Sequence, residues 1–301
     1  MAFFRGVLAF SFVALNLVTW FTWLAVLTLG RLIASPWPAL RFKLTGAMDQ
    51  VIDGWCWGNR LMISVLSLSD IDVTWNNPEE LRRDRWYLVV SNHQTWVDIF
   101  VLQTQLVDRI PPLKFFTKKQ LIWVPFLGLA MWLLDFPYVN RYSRAQIARD
   151  PSLRERDREN VRRACRAVTV RPTCILNFLE GTRFTYQKHE RTQSPYVHLL
   201  PPRAGGLAVV LDSLKEELSA AVDVTITYPR GVPSFWDFLC GRCPRIEMVV
   251  SPVALPDLAD ANPDAADAER DRVIGWVNAL WDAKDRTIAE RIVRPTAHPS
   301  P

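Results

Sequence analysis

Residues 86–106 read WYLVVSNHQTWVDIFVLQTQL, in which two apolar runs flank a short polar segment. The first run, at 86–90, is rich in β-branched and aromatic residues, and this composition predicts a buried strand. The second run, at 98–106, is compatible with a helix. His93 then lies just past the carboxyl end of a strand. In an open α/β sheet, the loops at these ends expose side chains to ligands.

The chain beyond this unit repeats the alternation of short apolar runs and helix-like stretches. Further strands are predicted at 174–179, 221–228 and 246–253. Further helices are predicted at 152–168, 204–219 and 272–292, with a polar acidic loop at 256–269. Strands that alternate with helices indicate the α/β fold class with a largely parallel sheet.

The amino-terminal region has a different character, because residues 7–30 contain no charged side chain. As a helix this run would extend roughly 36 Å, more than the hydrocarbon core of a bilayer, so we interpret it as a membrane anchor. A cleaved signal peptide is the alternative, although the run is longer than a usual signal core and no clear cleavage site follows it. Residues 37–68 predict a second helix, which could lie along the membrane surface. We therefore divide the chain into a membrane-anchoring or interfacial helical region, 1–68, and one α/β domain, 69–301.

The positions of the basic residues bear on orientation and partners. Three basic residues follow the apolar run and one precedes it, which favours a main domain on the cytosolic face, at the inner membrane in a bacterium. Ten arginines lie between positions 141 and 171. They predict either a solvated helix face, paired with Glu155 and Glu159, or a surface for anionic lipid or a phosphorylated ligand. No nucleic-acid-binding motif is present, so a nucleic-acid partner is not expected.

The five cysteines are odd in number and lie mostly in apolar contexts, as suits a reducing compartment. Cys240 and Cys243 form a single C-x-x-C, and no second ligand pair stands at the spacing of a zinc site. We therefore expect no metal.

The polar segment that follows the first strand contains a His-x4-Asp pattern. Asp98, in the first turns of the predicted helix, can fold back toward the imidazole of His93. The carboxylate would hold one ring nitrogen protonated and leave the other free to act as a base. The pattern alone is common by chance, and a buried structural pair is the alternative.

A second polar segment, NFLEGTRFT at 177–185, follows another predicted strand. Gly181 would let the backbone approach a ligand, and the guanidinium of Arg183 offers a planar fork of donors that suits a phosphate. Taken alone, this segment is more simply explained as a surface turn that carries an exposed salt bridge.

Together these segments resemble motifs of the glycerolipid acyltransferases typified by 1-acyl-glycerol-3-phosphate (lysophosphatidate) acyltransferases. The longer string EGTRFTYQKHERTQSPYVHLLPPRAGG resembles the lysocardiolipin acyltransferase-like branch, in which an EGTRFT block is followed by a Leu-Pro-Arg segment. NHQTWVD is similar to the family's His-x4-Asp catalytic motif, and EGTR to its acceptor-binding motif. The intervening TKKQLIWVPFLGLAMWLLDFPYVNR resembles the Lys…Pro-x-x-Gly…Arg block, which puts Lys118 and Arg141 at its basic positions. The match runs from about residue 86 to 210.

The resemblance implies a membrane-bound acyltransferase with an N-terminal helical pair. It would move an acyl chain from acyl-CoA or acyl carrier protein to the free hydroxyl of a lysophospholipid, most simply 1-acyl-glycerol-3-phosphate, giving phosphatidic acid without an acyl-enzyme or a cofactor. His93 would be the general base and Asp98 would orient it. The predicted substrate-binding residues are Lys118, Arg141, Glu180, Gly181, Thr182 and Arg183. The three basic residues would bind the acceptor phosphate, while Glu180 would orient Arg183 or bond the glycerol hydroxyls.

Two other classes of protein remain compatible with the sequence. An acyl thioesterase would use the same His-Asp pair with water as the nucleophile, although a hydrolase has little use for a phosphate clamp. A catalytically silent lipid-binding protein would keep the anchor and the basic surface.

Overall fold

Two long helices begin the chain in the computed structural model. The structure describes residues 1–118, 122–136, 138–139, 149–150, 152–258 and 266–293. Helix α1 spans Ala2–Ile33 and helix α2 spans Pro38–Val65, where Pro38 occupies the first turn, the position in a helix that tolerates proline. Among the described helices, α1 alone has the length and hydropathy to cross a bilayer, and only 11% of its most apolar window is buried. The predicted pair of N-terminal helices is confirmed.

Eight strands, seven further α-helices and one short 3-10 helix, Pro78–Glu80, follow in the described residues. The strands are β1 Asp70–Trp75, β2 Trp86–Ser91, β3 Leu113–Phe115, β4 Thr117–Lys118, β5 Tyr138–Val139, β6 Cys174–Phe178, β7 Leu218–Thr227 and β8 Arg245–Val253. The helices are α3 Val97–Leu106, α4 Leu127–Leu133, α5 Ser152–Val168, α6 Tyr186–Thr192, α7 Ala204–Leu214, α8 Phe235–Leu239 and α9 Ala266–Val293.

The main sheet has six strands in the order β1-β8-β7-β2-β6-β3, and β4 pairs with β5 in a separate two-stranded sheet. Every pair in the main sheet is parallel except β7 with β8, so the predicted α/β class with a largely parallel sheet is confirmed. The four predicted strands are present as β2, β6, β7 and β8, whereas β1, β3, β4 and β5 were not predicted.

Two predicted boundaries are wrong. The helix expected to continue to residue 219 ends at Leu214, because β7 begins at Leu218. The acidic loop expected at 256–269 gives way to α9 from Ala266, and its residues 259–265 lie outside the described part of the chain.

The central strand β2 explains why its sequence is apolar without alternation. Tyr87 and Val89 belong to the core cluster that includes residues of α1, α2, α3 and α8. Leu88 and Val90 belong to the cluster on the other face, with residues of α5, α7 and α9. Since successive side chains of a strand point to opposite faces, a strand that is covered on both faces needs a continuous apolar run.

Helix α1 contacts the rest of the molecule along its length. Near its start, a Cβ added to Gly6 would lie 2.6 Å from Cys240 Sγ, so glycine permits the close approach of α8. At its middle, Asn16 Nδ2 donates to the Trp55 carbonyl at 3.0 Å and to Asn59 Oδ1 at 3.1 Å. Leu24 is fully buried nearer its end. Helix α1 therefore packs along the rest of the molecule rather than projecting from it.

Ion pairs join α2 to the amino-terminal ends of the strands. Asp49 contacts Arg171 at 2.9 Å and the largely buried Lys114 at 3.4 Å. One turn further along α2, Asp53 pairs with Arg83. Partly buried pairs of this kind fix the position of α2 because breaking one would leave a charge uncompensated.

Candidate active site

The two polar motifs meet at the carboxyl ends of neighbouring strands. Strands β2 and β6 pair in parallel, and Ser91 lies opposite Phe178 in the last rung of that pairing. His93 therefore follows the end of β2 close to the point where Glu180 follows the end of β6. An open α/β fold presents its ligand-binding residues at these carboxyl ends of the strands.

Asp98 is fully buried and accepts four hydrogen-bond contacts. Its Oδ2 lies 2.8 Å from His93 Nδ1 and accepts the backbone N–H groups of Gln94 at 2.6 Å and Thr95 at 2.9 Å. Its Oδ1 accepts the hydroxyl of Tyr228 at 2.6 Å. The carboxylate is thus held in one orientation, as the sequence predicted for its approach to the imidazole.

Tyr228 is a site residue that sequence reasoning missed. It follows the last residue of β7 and reaches Asp98 across 130 positions of sequence. Burial raises the pKa of Tyr228 well above its ordinary value, and the charge of Asp98 and the hydrogen bond to it act in the same direction. The hydroxyl therefore remains a protonated donor to the carboxylate.

The imidazole of His93 is fixed in orientation and partly exposed. The ring stacks on Phe178 with centroids 4.0 Å apart and an interplanar angle of 15°, and 12% of the side chain is exposed. Because Nδ1 faces a carboxylate, the neutral ring carries its proton there, and Nε2 keeps the lone pair that can accept a proton.

The backbone of His93 is held from both sides, by Glu180 and by Phe184, the residue that follows the EGTR motif. Glu180 Oε1 accepts the His93 N–H at 2.9 Å, and the Phe184 N–H donates to the His93 carbonyl at 2.7 Å. Glu180 Oε2 accepts the Leu200 N–H at 3.1 Å. Glu180 is only 1% exposed and turns both oxygens to backbone groups, whereas the sequence led us to expect contact with Arg183 or with glycerol hydroxyls.

Glu180 titrates in an unusual range. Burial raises the pKa of Glu180 to about 8, although the N–H groups of His93 and Leu200 and the charge of Lys284 lower it. Lys284 is itself fully buried on α9, where Nζ donates to Asp223 Oδ1 at 2.7 Å. A second buried charged group, Lys284, therefore lies close enough to Glu180 to lower its pKa.

The remaining residues of the EGTR segment form a turn that is held by Lys188. Gly181 adopts φ +69°, in the left-handed region that favours glycine. Lys188 Nζ donates to Thr182 Oγ1 at 2.8 Å and to the Arg183 carbonyl at 2.8 Å. The exposed guanidinium of Arg183 lies 5.3 Å from the centroid of the Trp96 ring, which belongs to the His-x4-Asp segment.

The His-x4-Asp loop is also anchored to the other neighbour of β2. The Asn92 side chain donates from Nδ2 to the Ile226 carbonyl at 2.8 Å and accepts the Ile226 N–H at Oδ1 at 2.9 Å. Thr95 Oγ1 donates to the Pro233 carbonyl at 2.8 Å. Asn92 thus takes the place of a backbone rung and ties the loop to β7.

The basic residues of the middle block are only partly described. Lys118 ends β4, but its side chain, like the whole of Arg141, lies outside the described residues. On the described part of α5, exposed arginines pair with Glu155 and Glu159 at 3.0 Å, as a solvated helix face would. No group of three or more potential metal ligands is found within the described residues.

A family model described as Acyltransferase matches residues 72–228, more than half of the chain. The chain belongs to the acyltransferase family. The matched range begins in β1 and ends at Tyr228, so it contains every described residue that contacts the Asp98 carboxylate.

Curated relatives of this acyltransferase are similar over two thirds of its length. The 1-acyl-sn-glycerol-3-phosphate acyltransferase epsilon of Mus musculus is 26% identical over 225 residues, which are 67% of this chain and 57% of that protein. The delta protein of Homo sapiens is 26% identical over 212 residues, covering 66% and 51%. The chain thus spans little more than half the length of the curated relatives that it matches.

A solved structure shares the fold of this acyltransferase. The crystal structure of the 1-acyl-sn-glycerophosphate (LPA) acyltransferase PlsC from Thermotoga maritima superposes with a TM-score of 0.53 at 17% sequence identity. The match covers 98% of this chain and all of that one, so it includes α1 and α2 as well as the α/β domain.

Proposed function

We propose that this acyltransferase moves an acyl chain from a thioester to the free hydroxyl of a lysophospholipid, most simply 1-acyl-glycerol-3-phosphate, giving phosphatidic acid. The observation that carries the proposal is the 2.8 Å contact between His93 Nδ1 and Asp98 Oδ2 at the carboxyl ends of the strands. The names of the curated relatives and of the Thermotoga maritima enzyme support this choice of acceptor.

His93 acts as a general base in this proposal. Nε2 takes the proton of the acceptor hydroxyl while that oxygen attacks the thioester carbonyl, and Asp98 stabilises the imidazolium that forms. The tetrahedral intermediate then collapses, the carbon–sulfur bond breaks, and the imidazolium returns the proton to the leaving thiolate. The products are the new ester and a free thiol, and no acyl-enzyme is needed because the thioester is already activated.

The acceptor phosphate binds beside Arg183. The guanidinium is exposed and lies against Trp96 of the His-x4-Asp segment, which is a suitable place from which to hold a phosphate near the base. We propose that Lys118 and Arg141 complete this phosphate site. Holding the hydroxyl and the carbonyl in register is the main task of the protein.

The donor is acyl-CoA or acyl carrier protein, and the reaction takes place at the cytosolic face of a membrane. The apolar α1 and its contacts with the rest of the protein at Gly6, Asn16 and Leu24 support this location, because the opposite face of α1 is left free for lipid. The excess of basic residues after the apolar run supports the cytosolic orientation.

The test is to incubate the purified full chain with a panel of lysophospholipids and acyl thioesters and to identify the products by mass. His93→Ala should reduce acyl transfer by at least about 10²-fold, the low end of general-base catalysis. Asp98→Asn should also be severely impaired, and the double variant should be little worse than His93→Ala because both act through one ring. His198→Ala, outside both motifs, is the matched control.

The melting temperature of each variant separates catalysis from folding. If His93 and Asp98 form only a structural pair, replacing either residue should lower the melting temperature. Activity should then fall only in proportion to the fraction of unfolded protein. A well-folded His93→Ala enzyme that turns over at the wild-type rate would refute the mechanism. Release of free fatty acid without acceptor would indicate a thioesterase instead, and vesicle binding without turnover by the wild type would indicate a lipid-binding protein.

A further inference from the structure

The segment 122–134, IWVPFLGLAMWLL, contains no charged residue and includes α4. Its large apolar side chains are unusually exposed, and Trp123 is 85% exposed. The exposed members are Ile122, Trp123, Val124, Phe126, Leu127, Leu129 and Trp132. We call this stretch the α4 segment. A water-facing surface normally carries polar side chains, so a patch of this composition calls for a partner.

The α4 segment has an exposed outer side and a well-packed inner side. Met131 and Leu134 are buried and pack in one cluster with Val51 and Ile52 of α2. Gly128 is also buried. Core packing therefore accounts for the inner side chains of α4 and leaves the outer ones unexplained.

The outer side of the α4 segment continues the apolar surface of α1. The Phe126 ring meets the Phe21 ring edge to face, with centroids 5.2 Å apart. On α1, Leu15, Val18 and Trp23 are exposed in the same way. Because the two elements are in contact, a bilayer that covers the outer face of α1 also reaches the α4 segment.

We propose that the α4 segment is a second lipid-contact element, which enters the same leaflet that α1 contacts. The occupant is a lipid bilayer, since none of the thirteen residues offers a charge and Trp indole N–H groups are their only polar side-chain groups. A protein partner would normally meet a polar rim around an apolar centre. Trp123 and Trp132 lie near the two ends of the segment, and tryptophan favours the headgroup region.

This placement rests on α1 contacting lipid but not on acyl transfer, so it can fail or succeed independently of the proposed reaction. It also has a consequence for the site. The α4 segment follows Lys118 in the chain, so lipid contact would hold this proposed phosphate-binding position close to the membrane surface.

The experiment places one environment-sensitive fluorophore at a time on an introduced cysteine in the full chain. Trp123→Cys is the test position, Leu15→Cys on α1 is the positive control, and Val197→Cys is the matched control on the far face of the sheet. Trp123, Leu15 and Val197 are all exposed, at 85%, 66% and 67%, so each variant should fold. All five native cysteines are free and buried, and the chain without an added cysteine gives the labelling background.

Each labelled protein is reconstituted into phosphatidylcholine vesicles whose acyl chains carry a nitroxide quencher. We expect the labels at positions 123 and 15 to be quenched to a similar extent and the label at position 197 to be unaffected. Quenching at position 15 with none at position 123 would overturn the proposal. A label at 123 that is shielded from the quencher but self-quenches, with relief on dilution by unlabelled chain, would assign the surface to a second copy and also overturn it.

Discussion

The buried carboxyl of Glu180 makes a specific prediction about stability, because it links His93 to Leu200 through two backbone N–H groups. The perturbation is Glu180→Gln, which keeps the size of the side chain but removes its titration. In the wild type, burial raises the pKa of Glu180 from 4.5 to about 8. The folded state therefore retains a proton that the unfolded state releases between these two pH values.

The sign and size of the effect follow from this difference. A group whose pKa is raised on folding contributes most below its unfolded value, and that contribution is lost as the pH rises through the folded value. From 4.5 to about 8 the loss amounts to about 4–5 kcal/mol of unfolding free energy. The free energy of unfolding of the wild type, minus that of Glu180→Gln, should therefore fall by up to this amount between pH 4 and pH 9.

Urea unfolding in one fixed detergent, repeated across that pH range, measures the difference directly. Subtracting the variant removes the titration of all other carboxylates, since they are common to both proteins. Glu190→Gln is the matched control, because Glu190 is exposed on α6 and should leave the pH dependence unchanged. Parallel curves for the wild type and Glu180→Gln would refute the reasoning and would mean that the N–H groups and Lys284 keep the carboxylate ionised.

Three further variants probe other contacts of the site. Tyr228→Phe removes the 2.6 Å hydrogen bond to buried Asp98 and should lower the free energy of unfolding, measured with urea, by about 1.5–3 kcal/mol. The kcat should fall as well. Wild-type values of both quantities would contradict this role of Tyr228. Arg183→Ala should raise the acceptor KM and lower kcat while leaving the donor KM unchanged, because the contact that we propose for Arg183 is to the acceptor phosphate. Unchanged acceptor kinetics would instead support the interpretation of Arg183 as part of a surface turn without a ligand. Lys188→Met should produce the same kinetic pattern in weaker form, since it loosens the Thr182 turn rather than removing the guanidinium, and an effect on the donor KM alone would argue against this.

The parts of the fold that were predicted are those with a strong local signal. The continuous apolar run of β2 and the three other long strands were recognised from composition. Strand β1 was missed because DIDVTW is a half-exposed edge strand that contains two aspartates. Strand β3 has only three residues, with Lys114 at its centre, so it carries little of a strand pattern. The antiparallel pairing of β7 with β8 was not predicted, since nothing local to either strand specifies its partner.

The site shows the same division between local and distant information. The approach of Asp98 to His93 was predictable from a spacing of five residues. The Tyr228 hydroxyl and the Ile226 backbone are 130 and 134 positions from the residues that they hold, so only the strand order reveals them. The role of Glu180 was misjudged because a motif shows which side chains are present but not which backbone groups they meet.

The strand order also dictates when the molecule can become complete during synthesis. Asp70 of β1 can pair only after Arg245 of β8 has been synthesised, and the Asn92 side chain can bond only after Ile226 of β7 has been synthesised. Pairings between such distant positions form late, whereas a chain leaves the ribosome from its amino terminus. The apolar α1 therefore leaves the ribosome while the loop that carries His93 still lacks the strand that holds it in place.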